Sequence, residues 1–128
     1  MEFKYYMILH VNKESSIKSI QREFSEHYPF LKVEFYRIYS LGSGLPRSLM
    51  LSASESARKL GESLDGNLIN INKSRTVAEL ERDFEKLLGF RALVFRKTGK
   101  MWVETTLTDD WTLEDQNLEG EQLSGHFQ

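Results

Sequence analysis

Two stretches of the chain carry the same succession of hydrophobic and polar positions. Residues 8–37 and 68–97 superimpose without a gap, 60 positions apart, as ILHVNKESSIKSIQREFSEHYPFLKVEFYR and LININKSRTVAELERDFEKLLGFRALVFRK. Within them Ile17, Ile20, Phe24 and Val77, Leu80, Phe84 recur at i, i+3, i+7, the stripe of an amphipathic helix. Val33 and Phe35, and in the second copy Leu93 and Phe95, recur at every second residue, which predicts half-buried strands with those side chains facing the core. Each unit therefore reads as β-α-β. Asn12, Lys13, Arg22, Phe24, Phe30 and Phe35 are identical to Asn72, Lys73, Arg82, Phe84, Phe90 and Phe95.

Local signals bound the helices. Ser16 and Thr76 precede the apolar stripes as N-caps, and Thr76 with Glu79 has capping-box spacing. Gly89 supplies a C-terminal stop, and Pro29 does so in the first unit. Between the units, a Gly/Ser/Pro loop leads to Ser52 and Glu55, a further capping-box spacing, and to Ala53, Ala57, Leu60 and Leu64, which predict an additional helix. After the second unit, Thr98-Gly99-Lys100 predicts a tight turn into a last strand over 101–107.

This order fits two folds. Strands covered on both faces are nearly continuously apolar, whereas KVEFYRI and ALVFRKT alternate, so one sheet face is expected to meet water. The expected class is α+β: a two-layer sandwich built from the duplicated β-α-β unit, ferredoxin-like in topology, with an inter-repeat helix and a C-terminal strand. A small doubly wound α/β sheet is the alternative. Residues 1–117 are expected to form a single domain, and 118–128 a mobile acidic tail.

Composition narrows the chemistry. At 128 residues, 40% hydrophobic and 28% charged, the chain has the size and balance of one globular domain. It has no cysteine, which excludes disulfides, thiolate metal sites and thiol nucleophiles and suits a reducing, cytoplasmic setting. The apolar run Tyr5–Leu9 is too short for a signal-peptide core or a membrane span, so neither export nor membrane anchoring is expected. Charge is unevenly spread: residues 108–128 hold six acidic residues and neither Lys nor Arg, so a tail of −6 outweighs a body of +4 to leave −2. Trp111 and Leu113 are expected to hold the start of that tail, 109–117, against the body.

No motif carries a definite chemistry. Gly42-Ser43-Gly44-Leu45-Pro46-Arg47-Ser48 makes Arg47 a weak phosphate candidate, but the Lys-Ser/Thr ending of a P-loop is missing and Pro46 removes an amide donor. The paired Asn12-Lys13 and Asn72-Lys73 read as strand-to-helix turns. Asp109, Asp110, Glu114 and Asp115 lack EF-hand spacing, and Thr112 to Asp115 reads as a capping box. His10, His27 and His126 share no ligand spacing, and no nucleophile or acid–base pair stands out.

Tyr36, Phe95 and Trp102 beside Arg37, Arg96, Lys97 and Lys100 would suit base stacking. Against nucleic acid stand the missing RNP-like run, a sequence pI near 5.9 and the core phase inferred for Phe95. The reading is a non-enzymatic protein-interaction or regulatory module without a cofactor. Its partner is another protein or a second copy, met at the edge or open face of the sheet through Tyr36, Val94 and Trp102, with Trp111 as a further contact candidate. Nucleic-acid binding by the sheet face, and an unrecognised small-molecule or phosphate site or enzyme, are the alternatives.

Overall fold

Capped helices and alternating strands form where the periodicities place them. The structure, a computed structural model, describes residues 7–12, 14–39, 42, 44, 47–52 and 67–125. The elements are β1 (Ile8–Val11), α1 (Ile17–His27), β2 (Leu31–Tyr39), β3 (Arg47–Met50), β4 (Asn67–Asn70), α2 (Val77–Leu88), β5 (Arg91–Thr98), β6 (Met101–Glu104) and α3 (Leu113–Gly125), with a 3-10 turn at Thr106–Thr108. The inter-repeat helix expected after Ser52 falls outside the described residues.

Helix starts follow the sequence signals. The Ser16 hydroxyl accepts from the Ser19 amide while Ser19 Oγ accepts from the Ser16 amide. Thr76 and Glu79 make the same reciprocal pair, and those Thr76 bonds hold the Glu79 carboxyl below its usual range. Gly89 ends α2 at φ 73°, a left-handed conformation that glycine adopts without Cβ strain.

The strands form two antiparallel sheets, β1-β4 and β3-β2-β5-β6, so the parallel, doubly wound alternative is excluded. The strands divide between two sheets, where a ferredoxin-like sandwich has one. First strands pair together, Leu9 opposite Ile69, and second strands pair together, Val33 opposite Val94. Ile17, Ile20 and Phe24 of α1 and Val77, Leu80, Phe84 and Leu88 of α2 bury against Leu9, Val11, Ile69, Ile71, Leu31, Val33, Phe35, Ala92 and Val94. Fully burying each of the larger side chains contributes about 1.5–3 kcal/mol. The Phe35 and Phe84 rings meet edge to face at 5.1 Å.

One phase differs from the sequence reading. Phe35 is fully buried, but its aligned partner Phe95 stands on the other face of the sheet, and Ala92 and Val94 point to the core instead of Leu93 and Phe95. The gapless alignment holds through the helices, where Phe24 and Phe84 are both fully buried, and slips by one residue in the second strand. Because side chains alternate with period two, a one-residue slip exchanges the faces.

The acidic end also differs. β6 stops at Glu104, and α3 continues past residue 118 to Gly125, so residues 118–125 belong to a helix. Gly120 makes this approach possible: a Cβ there would lie 2.8 Å from Phe30 Cβ and 3.2 Å from the Lys97 carbonyl oxygen. Asn117 Oδ1 accepts from the Phe30 amide, and Gln116 bridges Arg96 and Thr108 from a fully buried position. Leu113 is the buried anchor at 0% exposure, whereas Trp111 remains 38% exposed with the Arg96 guanidinium 5.8 Å from its ring.

Candidate sheet-face interaction site

Side chains that alternate with the core residues of β2 and β5 form the outer face of the four-stranded sheet. Directly paired residues share a face, so Lys32 stands with Phe95, Glu34 with Leu93, Tyr36 with Arg91 and Met50, and β6 adds Trp102 beside Lys97 and Glu104 beside Phe95. No described helix packs over these residues. Ile38, Met50 and Trp102 are exposed, while Tyr36 and Phe95 are half-buried among their neighbours.

Lys32 organises the middle of this face. Its ammonium lies 5.4 Å from the Phe95 ring centre, 5.1 Å from that of Trp102 and 3.6 Å from Glu34 Oε1. Two aromatic faces and one carboxylate thus hold one cation, fixing the rings as a platform without burying them. Burial first, then the Glu34 and Glu104 carboxylates, push the Tyr36 phenol above its usual range against an opposing pull from Arg91. The site is amphipathic: aromatic and aliphatic area interspersed with both signs of charge.

The sequence-derived residues divide accordingly. Tyr36 and Trp102 share the outer face. Val94 does not: it is 0% exposed on the core side, and no partner reaches it, because the one-residue slip turned its strand over. Trp111 lies apart, beside Arg96 at the start of α3. Arg47 pairs by backbone with Tyr39, and its side chain lies outside the described residues. Lys32, Glu34, Phe95, Met50 and Glu104 were missed as site residues. The alternation of KVEFYRI carried the signal for Lys32 and Glu34, and a correct phase for the second strand would have added Phe95.

Other polar features have structural explanations. Asn12 Oδ1 accepts from the Glu14 amide within a local turn, whereas Asn72 Oδ1 accepts from the Met7 amide and ties the segment after β4 to the residue before β1. Thr112 Oγ1 accepts from the Asp115 amide at the start of α3. Among the described residues, no three of His, Asp and Glu converge as a metal site, and no helix is long and apolar enough to cross a membrane.

An open cleft of about 260 Å³ is lined by Glu81, Arg82, Glu85, Arg91, Thr106 and Asp109. There Glu81 Oε2 accepts the Val94 amide at 2.9 Å, and its alignment mate Gln21 donates to the Val33 carbonyl at 2.8 Å. These two side chains serve backbone groups of the central strand pair where no neighbouring strand does. Burial pushes the Glu81 carboxyl up to about 7; the Val94 bond opposes that shift, Asp109 and Glu85 add to it, and Arg91 opposes it. The carboxylate is occupied with the fold.

No protein-family profile, curated protein or solved structure matches the chain.

Proposed function

We propose that the chain is a protein-interaction module that presents the outer face of its four-stranded sheet to a partner. The observation that carries this reading is the platform of Tyr36, Phe95 and Trp102 around Lys32, continued by exposed Ile38 and Met50. Aromatic residues held rigid by their neighbours give large contact area at small ordering cost, and interspersed charges select the partner. Lys32, Arg91 and Lys97 are set against Glu34 and Glu104 on this face, a mixture that suits a protein surface better than a phosphate backbone.

Descent from a duplicated β-α-β segment accounts for the arrangement. Exchange of the two copies leaves both strand pairings in place, with Leu9 opposite Ile69 and Val33 opposite Val94, and Gln21 and Glu81 act in equivalent positions. In this reading, the helices and first strands fill one side of the larger sheet and leave its other side for recognition.

The test is photo-crosslinking in the cell of origin, with a benzophenone side chain placed singly at Tyr36, Met50 or Trp102 and, as a control, at Leu107, 98% exposed on the Thr106–Thr108 turn outside the sheet. Discrete protein adducts are expected at the three sheet positions and not at Leu107. Equal adduct patterns at all four positions, or none at the sheet positions, would contradict the reading.

A further inference from the structure

Among the described residues β6 is an edge strand, with all four of its residues exposed and three of them apolar. The Thr105 amide donates to the Val94 carbonyl, and bonded and non-bonded pairs alternate along an antiparallel ladder. Met101 and Val103 therefore aim their backbone groups at β5, while Trp102 and Glu104 aim theirs at the open edge. Unpaired edges of this kind template pairing with a further strand, and soluble proteins usually blunt them by shortness, charge, Pro or a bulge; β6 is short, but its exposed apolar residues invite a partner. β6 has Trp102 at its centre.

Resting on the reading of this sheet as a contact surface, we infer that a second copy of the chain adds antiparallel along β6, with Trp102 opposite Trp102 of the other copy, and extends the outer face rather than covering it. A two-fold axis normal to the sheet keeps each side chain on its own face. On the outer face, this register joins the two Trp102 indoles and brings Lys100 of each copy beside Glu104 of the other. On the inner side it sets Met101, 69% exposed, against Val103, 40% exposed.

Charge selects this register over its neighbour. Centring the pair on Val103 would use the same free backbone groups but would set Trp102 opposite Glu104 and Met101 opposite the buried Thr105, leaving Lys100 without its carboxylate. The Trp102-centred pair makes two ion pairs and two Met–Val contacts, and the sheet becomes eight-stranded with one continuous outer face. Five residues per copy, Lys100 to Glu104, make a small interface, so the dimer is weak and concentration-dependent.

Sedimentation velocity of the purified full chain over a wide concentration range tests this. The wild type is expected to dimerise reversibly, and Lys100→Glu or Glu104→Lys alone to weaken the dimer at least about tenfold by opposing like charges twice. The double variant Lys100→Glu/Glu104→Lys is expected to restore it. Both positions are exposed, and unchanged circular dichroism verifies that each variant is folded. A chain that stays monomeric throughout, or a dimer indifferent to the single reversals, overturns the inference. Either outcome, combined with crosslinks from the sheet positions to a different protein, would leave the interaction-module reading standing.

Discussion

Phe35 and Phe95, equivalent in the gapless alignment of the two units, stand on opposite faces of one sheet: Phe35 packs on Phe84 in the core, and Phe95 lies under the Lys32 ammonium. Their truncation costs should differ accordingly. Phe35→Ala leaves a cavity in a closed core and is expected to cost about 3–5 kcal/mol, while Phe95→Ala is expected to cost no more than about half of that. Urea unfolding of the two variants measures both, and equal losses would return Phe95 to the core.

The helices and their caps were legible because their signals are local. Ser16, Thr76 and Gly89 act within one turn of their own positions, and the i, i+3, i+7 stripes bury where the sequence puts them. Strand phase was less secure, since one residue changes every face, and the slip between Phe24/Phe84 and Val33/Val94 arises at the helix-to-strand connection, where the alignment has no gap to show it. The contact set inherited that error: Val94 was selected and Phe95 rejected. Division of the strands between two sheets depends on long-range pairing that no local pattern encodes.

The acidic end should behave as a folded element. The acidic composition of 118–128 suggests a mobile tail, yet at Gly120 an added Cβ would lie 2.8 Å from Phe30 Cβ. Gly120→Ala is expected to cost about 1–3 kcal/mol by overpacking. Gly125→Ala, with open space around it, is expected to stay within about 1 kcal/mol of the wild type, on the stabilising side, from helix propensity. Thermal or urea unfolding decides, and equal effects at the two glycines would mean α3 is not docked as described.

Anchoring of that helix should fall to Leu113 rather than Trp111. Leu113 is fully buried, so Leu113→Ala is expected to cost about 2–5 kcal/mol, and Trp111→Ala clearly less because the ring keeps 38% of its exposure. The reverse order in chemical denaturation would make the tryptophan the anchor.

Glu81 should give stability a distinct pH dependence. Its folded-state pKa of about 7 lies above the ordinary 4.5, so between those values the native state holds a proton that the unfolded chain has released. Its contribution is fully present below pH 4.5 and is lost as pH rises through 7. Glu81→Gln keeps an oxygen that can accept from the Val94 amide and removes the titration, so the variant should lose this part of the wild type's decline across that window. Denaturation midpoints from pH 4.5 to 8 test this, and identical pH profiles for the two proteins would contradict it.

The outer sheet face is open on a single chain, and Trp102 at its β6 edge loses exposure when a second copy adds along that edge or a partner covers the face. Trp111→Phe leaves Trp102 as the only tryptophan, so acrylamide quenching of its fluorescence reports on that face alone. Efficient quenching is expected in dilute purified protein, with progressive shielding as protein concentration rises or a crosslink-identified partner is added. Quenching that stays equally strong under every one of these conditions, or a Trp102 already shielded in the dilute monomer, would contradict the account.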